Sequence, residues 1–496
     1  MKILLVYCNT SHEITVPIGI TQIRSMLLRR GDSVELFHTT FYKQREKSTE
    51  EKRAEGLQFK DPGKLYYEPA DMCEDFICKV EEFEPDMIGF SVLEPTYNIF
   101  TALLDSIRGV VEKHGIMVAV GGVYARLAPE QFAKNKSVDI IATSESEETF
   151  PELCHKIENK ESYYDIPGYW IRDANRIGGW KINPAISLVD INRMPPLDPT
   201  PYGDRFMMKP MMGKLRKAIS VEISRGCPYE CTYCADPVMA QQAKLIGKYL
   251  RFKSIPKLEE EYDQLISEFK PDFIYKLSET FLSAPNKWLL DYYEVYKKYK
   301  IPFWVESRPE TINDEKIRLL ADLNCVRFSM GLESGNEVFR RTTLNRGYTN
   351  AKLLEAAKTL KKYGISFTCN LILGFPFETR SMISDGIDIL RQIQPDGISV
   401  FLFTPYFGSV LREVCVDHDM IDPDLICDDY FQDVYSLRNN GFTQDELVGL
   451  RRTIPLYVTL PEKMFPLIKK AEKLTDSGND IFNKLKEDFY DIKGWA

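Results

Sequence analysis

Apolar positions in the first 160 residues fall into short unbroken runs separated by helical spacings. Residues 2–7 form one run, a helical pattern opens at Pro17-Ile18-Gly19 and reaches Arg30, and a second run spans Ser33 to Phe37. A helix between two apolar strands predicts a parallel βαβ unit. The alternation resumes with Asp86–Ser91, a helical stretch from Asn98 to Lys113, the run Ile116–Gly122, and Val138–Ala142 before a helix near Glu147. Five such strands predict a doubly wound, Rossmann-like parallel sheet over residues 1–160. Its ligand edge is then the loops after strand ends: residues 8–19, 92–97, 121–126 and 143–147. The charged stretch from Lys43 to Lys64 has few apolar residues and reads as a solvated surface excursion.

Residues 161–215 are dense in proline, with Pro167, Pro195, Pro196, Pro199 and Pro201, and read as a connector. Strand-like runs then return at Ala218–Ile223, Asp272–Leu277, Pro302–Glu306, Cys325–Gly331, Phe367–Leu373 and Ile398–Phe403, with helical patterns at Asn286–Tyr299 and Asn350–Tyr363. Six strands are too few for a closed eight-stranded barrel, so residues 216–410 predict a partial βα barrel with a wide mouth. Residues 411–496 predict a mostly helical region, with a capped start at Thr443-Gln444-Asp445-Glu446, placed to cover the barrel or to pack against it.

Composition narrows the function classes. A formal net charge of -9 over 496 residues opposes a broad nucleic-acid footprint. No run approaches the roughly 20 apolar residues of a membrane span. The apolar N-terminus is too short for a secretory core. Eleven cysteines are too sparse for a disulfide framework. The chain reads as a cytoplasmic protein with reduced thiols.

The chemistry concentrates in Ser224-Arg225-Gly226-Cys227-Pro228-Tyr229-Glu230-Cys231-Thr232-Tyr233-Cys234, directly after the first strand of the second half. Three thiolates spaced x3 and x2 in one loop suit three corners of an iron-sulfur cube, leaving one iron open for substrate. Zinc would want a fourth ligand and paired knuckles, whereas Cys325 and Cys369 lie inside strand-like runs. Later strand ends carry further polar residues: Glu279, then Glu306 with Arg308, then Glu333 with Ser334, then Gly374 before Phe375-Pro376-Phe377-Glu378-Thr379. Each alone serves as a helix cap. Together, at the edge that holds the cysteines, they mark a site.

The cysteine loop, with Tyr233 before its last cysteine, resembles the signature of the radical S-adenosylmethionine (SAM) superfamily. Gly331-Leu332-Glu333-Ser334-Gly335 and Gly374-Phe375-Pro376-Phe377-Glu378-Thr379 resemble segments of its cobalamin-dependent and methylthiotransferase-like members, the second with one glycine replaced. The resemblance implies that Cys227, Cys231 and Cys234 hold a 4Fe-4S cluster and that Tyr233, Glu279, Glu306, Arg308, Glu333, Ser334, Arg346 and Gly374 surround SAM. Residues 1–160 resemble the cobalamin-binding domain that precedes the radical domain in one branch, through the opening strand, Pro17-Ile18-Gly19, Gly121-Gly122, and Val138-Asp139. That resemblance implies Pro17, Gly19, Gly121 and Gly122 beside a cobalamin. Two departures stand out: Ser144-Glu145-Ser146-Glu147 replaces Gly-Glu-Gly-Glu, and no Asp-x-His-x-x-Gly occurs. No histidine is therefore positioned in the usual way to ligate cobalt from below, and His12, on the first loop, is the one histidine near the predicted edge; the resemblance implies cobalamin held base-off, its lower face open.

The implied activity is methylation of an unactivated carbon, with cyclisation or rearrangement as the rival radical outcome and a non-catalytic cobalamin or Fe-S sensor as the rival of another class. A tRNA methylthiotransferase would bring extra early cysteines and a basic C-terminal module. The implied partners are a small-molecule, lipid or peptide substrate and a low-potential electron donor of flavodoxin or ferredoxin type.

Overall fold

The computed structural model describes residues 1–60, 66–211, 214–428 and 435–494. Its first sheet is built from β1 (Lys2–Tyr7), β2 (Ser33–His38), β3 (Met87–Ser91), β4 (Met117–Gly121), β5 (Ile140–Ala142), β6 (Tyr169–Arg172) and β7 (Trp180–Ile182), in the order β2-β1-β3-β4-β5-β6-β7. The first five strands are parallel, as the βα alternation predicts, and β6 and β7 extend the edge antiparallel. Strand period 2 divides their apolar residues between two cores. Leu4, Val6, Ile88, Phe90, Val118 and Val120 pack on one face, and Ile3, Leu5, Met87, Ala119 and Ile140 on the other.

The stretch expected as a connector thus contributes two strands, because Tyr169 and Ile171 alternate into the core. It also holds β8 (Met208–Met211), which pairs antiparallel with β9 (Lys214–Glu222). A short antiparallel pair, β10 (Ser224–Arg225) and β11 (Arg251–Phe252), flanks the cysteine loop. The second sheet continues with β12 (Phe273–Leu277), β13 (Phe303–Ser307), β14 (Cys325–Glu333), β15 (Ser366–Leu373) and β16 (Gly397–Leu402). Its order is β16-β15-β14-β13-β12-β9-β8, with six parallel strands and the antiparallel β8. This is the open barrel that six strands predict. Ile274, Val305, Phe328, Leu371 and Val400 pack outward against the helices, so the alternate residues, Tyr275, Trp304, Glu306, Ser329 and Asn370 among them, line the interior.

Lysine at an outward position is unusual. Lys276 is enclosed by aromatic rings, its Nζ 3.3 Å from the Tyr296 centroid and 3.9 Å from that of Phe303, and it donates to Tyr292. Burial holds this amine well below the ordinary lysine range.

The helix Gln444–Thr459 packs along β16 and the helix Arg380–Ile393, so the C-terminal region covers the open side of the barrel. The excursion after β2 is not the solvated loop its charges suggest. Ser48 and Glu51 form a capping box for the helix Thr49–Glu55, Glu50 and Lys52 are buried, and Leu57 joins the barrel core. Its charges tolerate burial because Arg53 pairs with Glu13 at 2.8 Å and Glu50 at 2.5 Å. Residues 61–64 of the excursion lie outside the described residues.

Candidate active site between the two sheets

The cysteine loop hangs from the C-terminal end of β9, whose Glu222 stands in register with Leu277 of β12. Gly226 has φ +88, and a Cβ there would meet the Tyr249 carbonyl oxygen at 2.7 Å, so the turn requires glycine. The loop is pinned from outside. Thr232 Oγ1 donates to the Thr343 carbonyl at 2.6 Å, Asn345 Nδ2 donates to the Glu230 carbonyl at 2.8 Å, and the Leu411 amide donates to the Thr232 carbonyl at 2.9 Å.

Each thiol has its own surroundings. Cys227 Sγ lies 3.6 Å from Thr280 Oγ1, and Cys234 Sγ accepts from the Asp236 amide at 3.5 Å. Cys231 Sγ accepts from Arg308 Nη1 at 3.1 Å and lies 3.6 Å from Arg346 Nη1. Two guanidinium groups thus face one sulfur. Among the described residues no three ligand side chains close round a single ion. A cube asks instead for three thiolates on three separate irons, which one loop with three cysteines supplies.

Arg346 ties the site together. Nη1 donates to Tyr233 Oη at 2.8 Å, Nη2 donates to the Gly331 carbonyl at 2.7 Å, and Glu333 Oε1 lies 3.7 Å from Nη1. Its Nε is buried without a partner, as is Ser334 Oγ. Both are unsatisfied donors of the kind a bound ligand completes. Glu333 has φ 63, at a register shift between β14 and β15, so the strand breaks where Glu333 and Ser334 stand.

Three carboxyl groups meet over the mouth. Burial, with Glu279 and Glu333 nearby, pushes Glu306 up to about 7. Glu279 is exposed, yet desolvation by the protein around it, with Asp236 and Glu222 near, also pushes it up to about 7. Burial raises Glu333, and Arg346 opposes the shift. Values near 7 for Glu306 and Glu279 let these two groups offer both donors and acceptors near neutral pH. Gly374 sits apart from them. Its amide donates to Glu378 Oε2 at 2.7 Å, its carbonyl accepts from Tyr435 Oη at 3.0 Å, and a Cβ would meet Leu447 at 2.7 Å. It therefore lets the C-terminal helix approach β15.

At the facing edge of the first sheet lies a cavity of about 250 Å³. Gly19, Gly121 and Gly122 line it with Leu5, Ile20, Gly89, Ala119, Ala142 and Phe150. A Cβ at Gly19 would meet nothing within 4 Å, whereas one at Gly122, φ +100, would meet the Val92 carbonyl oxygen at 2.4 Å. Gly19 thus opens the cavity and Gly122 allows two backbones to touch. Pro17 caps the helix Ile18–Arg30 from outside the lining. A deep, mostly apolar slot at the C-terminal edge of a doubly wound sheet fits the nucleotide tail of a cobalamin. His12 does not line it. Its ring is buried edge-on against Tyr67 and Phe41, 4.7 and 5.8 Å between centroids.

Sequence reading missed what joins the halves. Arg225 and Met239, on and after the cysteine loop, also line this cavity. Arg225 Nη1 donates to Glu147 Oε1 at 2.7 Å, Nη2 to Gln22 Oε1 at 3.0 Å and Nε to Glu222 Oε1 at 2.9 Å. Arg251 reaches Glu145 Oε2 at 3.0 Å. The segment Ser144–Glu147 therefore supplies carboxylates to the other half. The only sequence signal was an arginine beside the cysteines and two glutamates at a ligand edge, and neither pointed to the other.

Two family models match the chain: the B12 binding domain over residues 4–154 and the Radical SAM superfamily over residues 221–390. An uncharacterized methyltransferase of Pyrococcus horikoshii is 24% identical over 85% of this chain and 84% of its own length. The cobalamin-dependent SAM radical enzyme OxsB, solved with aqua-cobalamin and SAM bound, superposes with a TM-score of 0.68 at 16% identity, over 99% of this chain and 72% of its own. The radical SAM methyltransferase TsrM from Kitasatospora setae, solved with tryptophan and a SAM analogue, gives 0.61 at 16% identity, over 85% and 77%. These likenesses carry the fold, and among the described residues no helix is long and apolar enough to cross a membrane. With a B12 binding domain ahead of a radical domain in this fold, the chain belongs to the radical SAM enzymes that carry a cobalamin-binding domain, and its domains imply a 4Fe-4S cluster, SAM and cobalamin.

Proposed function

We propose that the protein is a cobalamin-dependent radical SAM methyltransferase acting on an unactivated carbon. The observation that carries this reading is the shared cavity: Arg225, two residues before the first cluster cysteine, lines it together with Gly19 and Gly121 of the first sheet. The two ligand edges thus face each other across one arginine. When bound, the cluster and SAM supply a 5′-deoxyadenosyl radical by one-electron cleavage, and cobalamin supplies methyl carriage.

The chain's own residues bind and orient. Cys227, Cys231 and Cys234 hold three irons. Arg346 Nε and Ser334 Oγ present free donors to the SAM carboxylate and ribose, and Glu306 and Glu279 accept from its nucleoside. Tyr233 keeps Arg346 turned inward. Gly19, Gly121 and Gly122 leave room for the cobalamin tail. With His12 packed against Tyr67 and Phe41, no histidine of the first loop lines the tail cavity, which supports a cobalt without a histidine ligand from that loop. The external low-potential donor completes the system.

Methyl transfer consumes SAM in a second way that leaves S-adenosylhomocysteine. The test is anaerobic turnover of the reconstituted protein with a chemical reductant, with and without added cobalamin. Cobalamin-dependent S-adenosylhomocysteine is expected. Formation of 5′-deoxyadenosine alone, in both samples, would instead support the cyclising or rearranging reading.

A further inference from the structure

Inside the second sheet a buried cation lacks acceptors. Lys209, on β8, is 6% exposed, and its Nζ lies 4.2 Å from the centroid of the Tyr275 ring. Among the described residues its ammonium group makes no hydrogen bond and no ion pair. The nearby carboxylates are engaged elsewhere: Glu13, on the loop after β1, accepts from Arg53 at 2.8 Å, and Glu50 accepts from Arg53 at 2.5 Å. Burial draws Lys209 down to about 8, which leaves it mostly charged at neutral pH. An ammonium has three donors, and a π face satisfies none of them as a hydrogen-bond acceptor does. Removing such a group from water is costly without an oxygen partner.

Its position is informative. Tyr275 packs on Trp304 with centroids 4.6 Å apart, and Glu306 follows two residues later on the same face of β13. Lys209, Tyr275, Trp304 and Glu306 therefore run from the β8 edge up the barrel interior to the carboxyl cluster at its mouth. Glu13 brings the ligand edge of the first sheet to the same place. The same corner is closed to bulk water by buried residues of the excursion after β2, Glu50 and Leu57 among them.

We propose that Lys209, over Tyr275, anchors a carboxylate or phosphate group of a small substrate whose reacting end points up the barrel toward Glu306. The proposal deepens the methyl-transfer reading by naming a substrate class, and rests on it for the direction of the reacting end alone.

The test uses the full chain with cluster and cobalamin reconstituted. Its lysines are reductively methylated with ¹³C-formaldehyde, and their signals are followed by NMR during titration with sodium acetate, sodium phosphate or sodium chloride at matched ionic strength. The Lys209 signal is assigned by its loss in Lys209→Arg. Expected is a saturable shift of that signal with acetate, phosphate or both, beyond any chloride effect, while surface lysines move alike in all three salts. Response to acetate alone assigns a carboxylate source, and response to phosphate alone a phosphate source. A Lys209 signal that follows chloride overturns the proposal. So does a Lys209 that formaldehyde cannot reach, since a ligand could not reach it either. Cobalamin retention is scored on the same sample: its loss with the anion response intact removes the methyl-transfer reading alone, and the reverse removes the anion site alone.

Discussion

Arg346 shows how much one residue carries here. Its fork spans Tyr233, the Gly331 carbonyl and Glu333, with Nε left over. Lysine keeps the charge but not the fork. Arg346→Lys is expected to weaken SAM binding roughly 10- to 100-fold, the equivalent of one or two charge-assisted hydrogen bonds, as read by equilibrium dialysis. Glu378 carries a different expectation. Burial pushes it up to about 8 against the Gly374 and Phe375 amides. Because the folded value is raised, its contribution to stability is full below the unfolded carboxyl value of about 4.3 and is lost as pH rises through about 8. Thermal melts of Glu378→Gln are expected to lose less stability between pH 5 and 8 than the parent. Residues of this kind were only partly legible in the sequence. The cysteines announce themselves by spacing, whereas Lys209 is an ordinary lysine until the fold puts Tyr275 beneath it.

At the scale of elements, periodicity carried the reading where one period ruled. All five parallel strands of the first sheet and all six of the barrel stand where apolar runs fall. The reading failed where pairing replaced periodicity. Helix Thr49–Glu55 is polar nearly all round and buries charge by pairing Arg53 both with Glu50 of its own turn and with Glu13 of an earlier loop, and β6 and β7 hide in a proline-rich stretch because two alternating residues suffice for an edge strand. Loop glycines split by the same test. Gly122→Ala, with φ +100 and the Val92 carbonyl in the way, is expected to cost about 1–3 kcal/mol of stability, measurable by denaturant melts. A Cβ at Gly19 meets nothing within 4 Å and Gly19 lines the cavity, so Gly19→Leu places its side chain there. It is expected to fold and keep its iron while losing cobalamin, as iron assay and visible spectra on one sample would report.

The whole molecule depends on a seam that neither half contains. Arg225 has carboxylates from both sides, Glu147 from the first sheet and Glu222 from the second. Removing one member of such a buried set strands the others. Arg225→Ala is expected to destabilise the protein by about 3–5 kcal/mol and to uncouple the unfolding of the two halves in calorimetry. The seam also explains how two domains, each recognisable alone, meet at one place: Arg225, two residues before the first cysteine of the loop, lines the cavity at the edge of the first sheet. The claim that one chain holds both groups is tested most directly on anaerobically purified, cluster-reconstituted protein mixed with cobalamin, desalted and scanned in the visible. Cobalamin retained in a base-off spectrum alongside the cluster is the expected result. A protein that keeps its cluster and passes through the column without cobalamin would contradict the account.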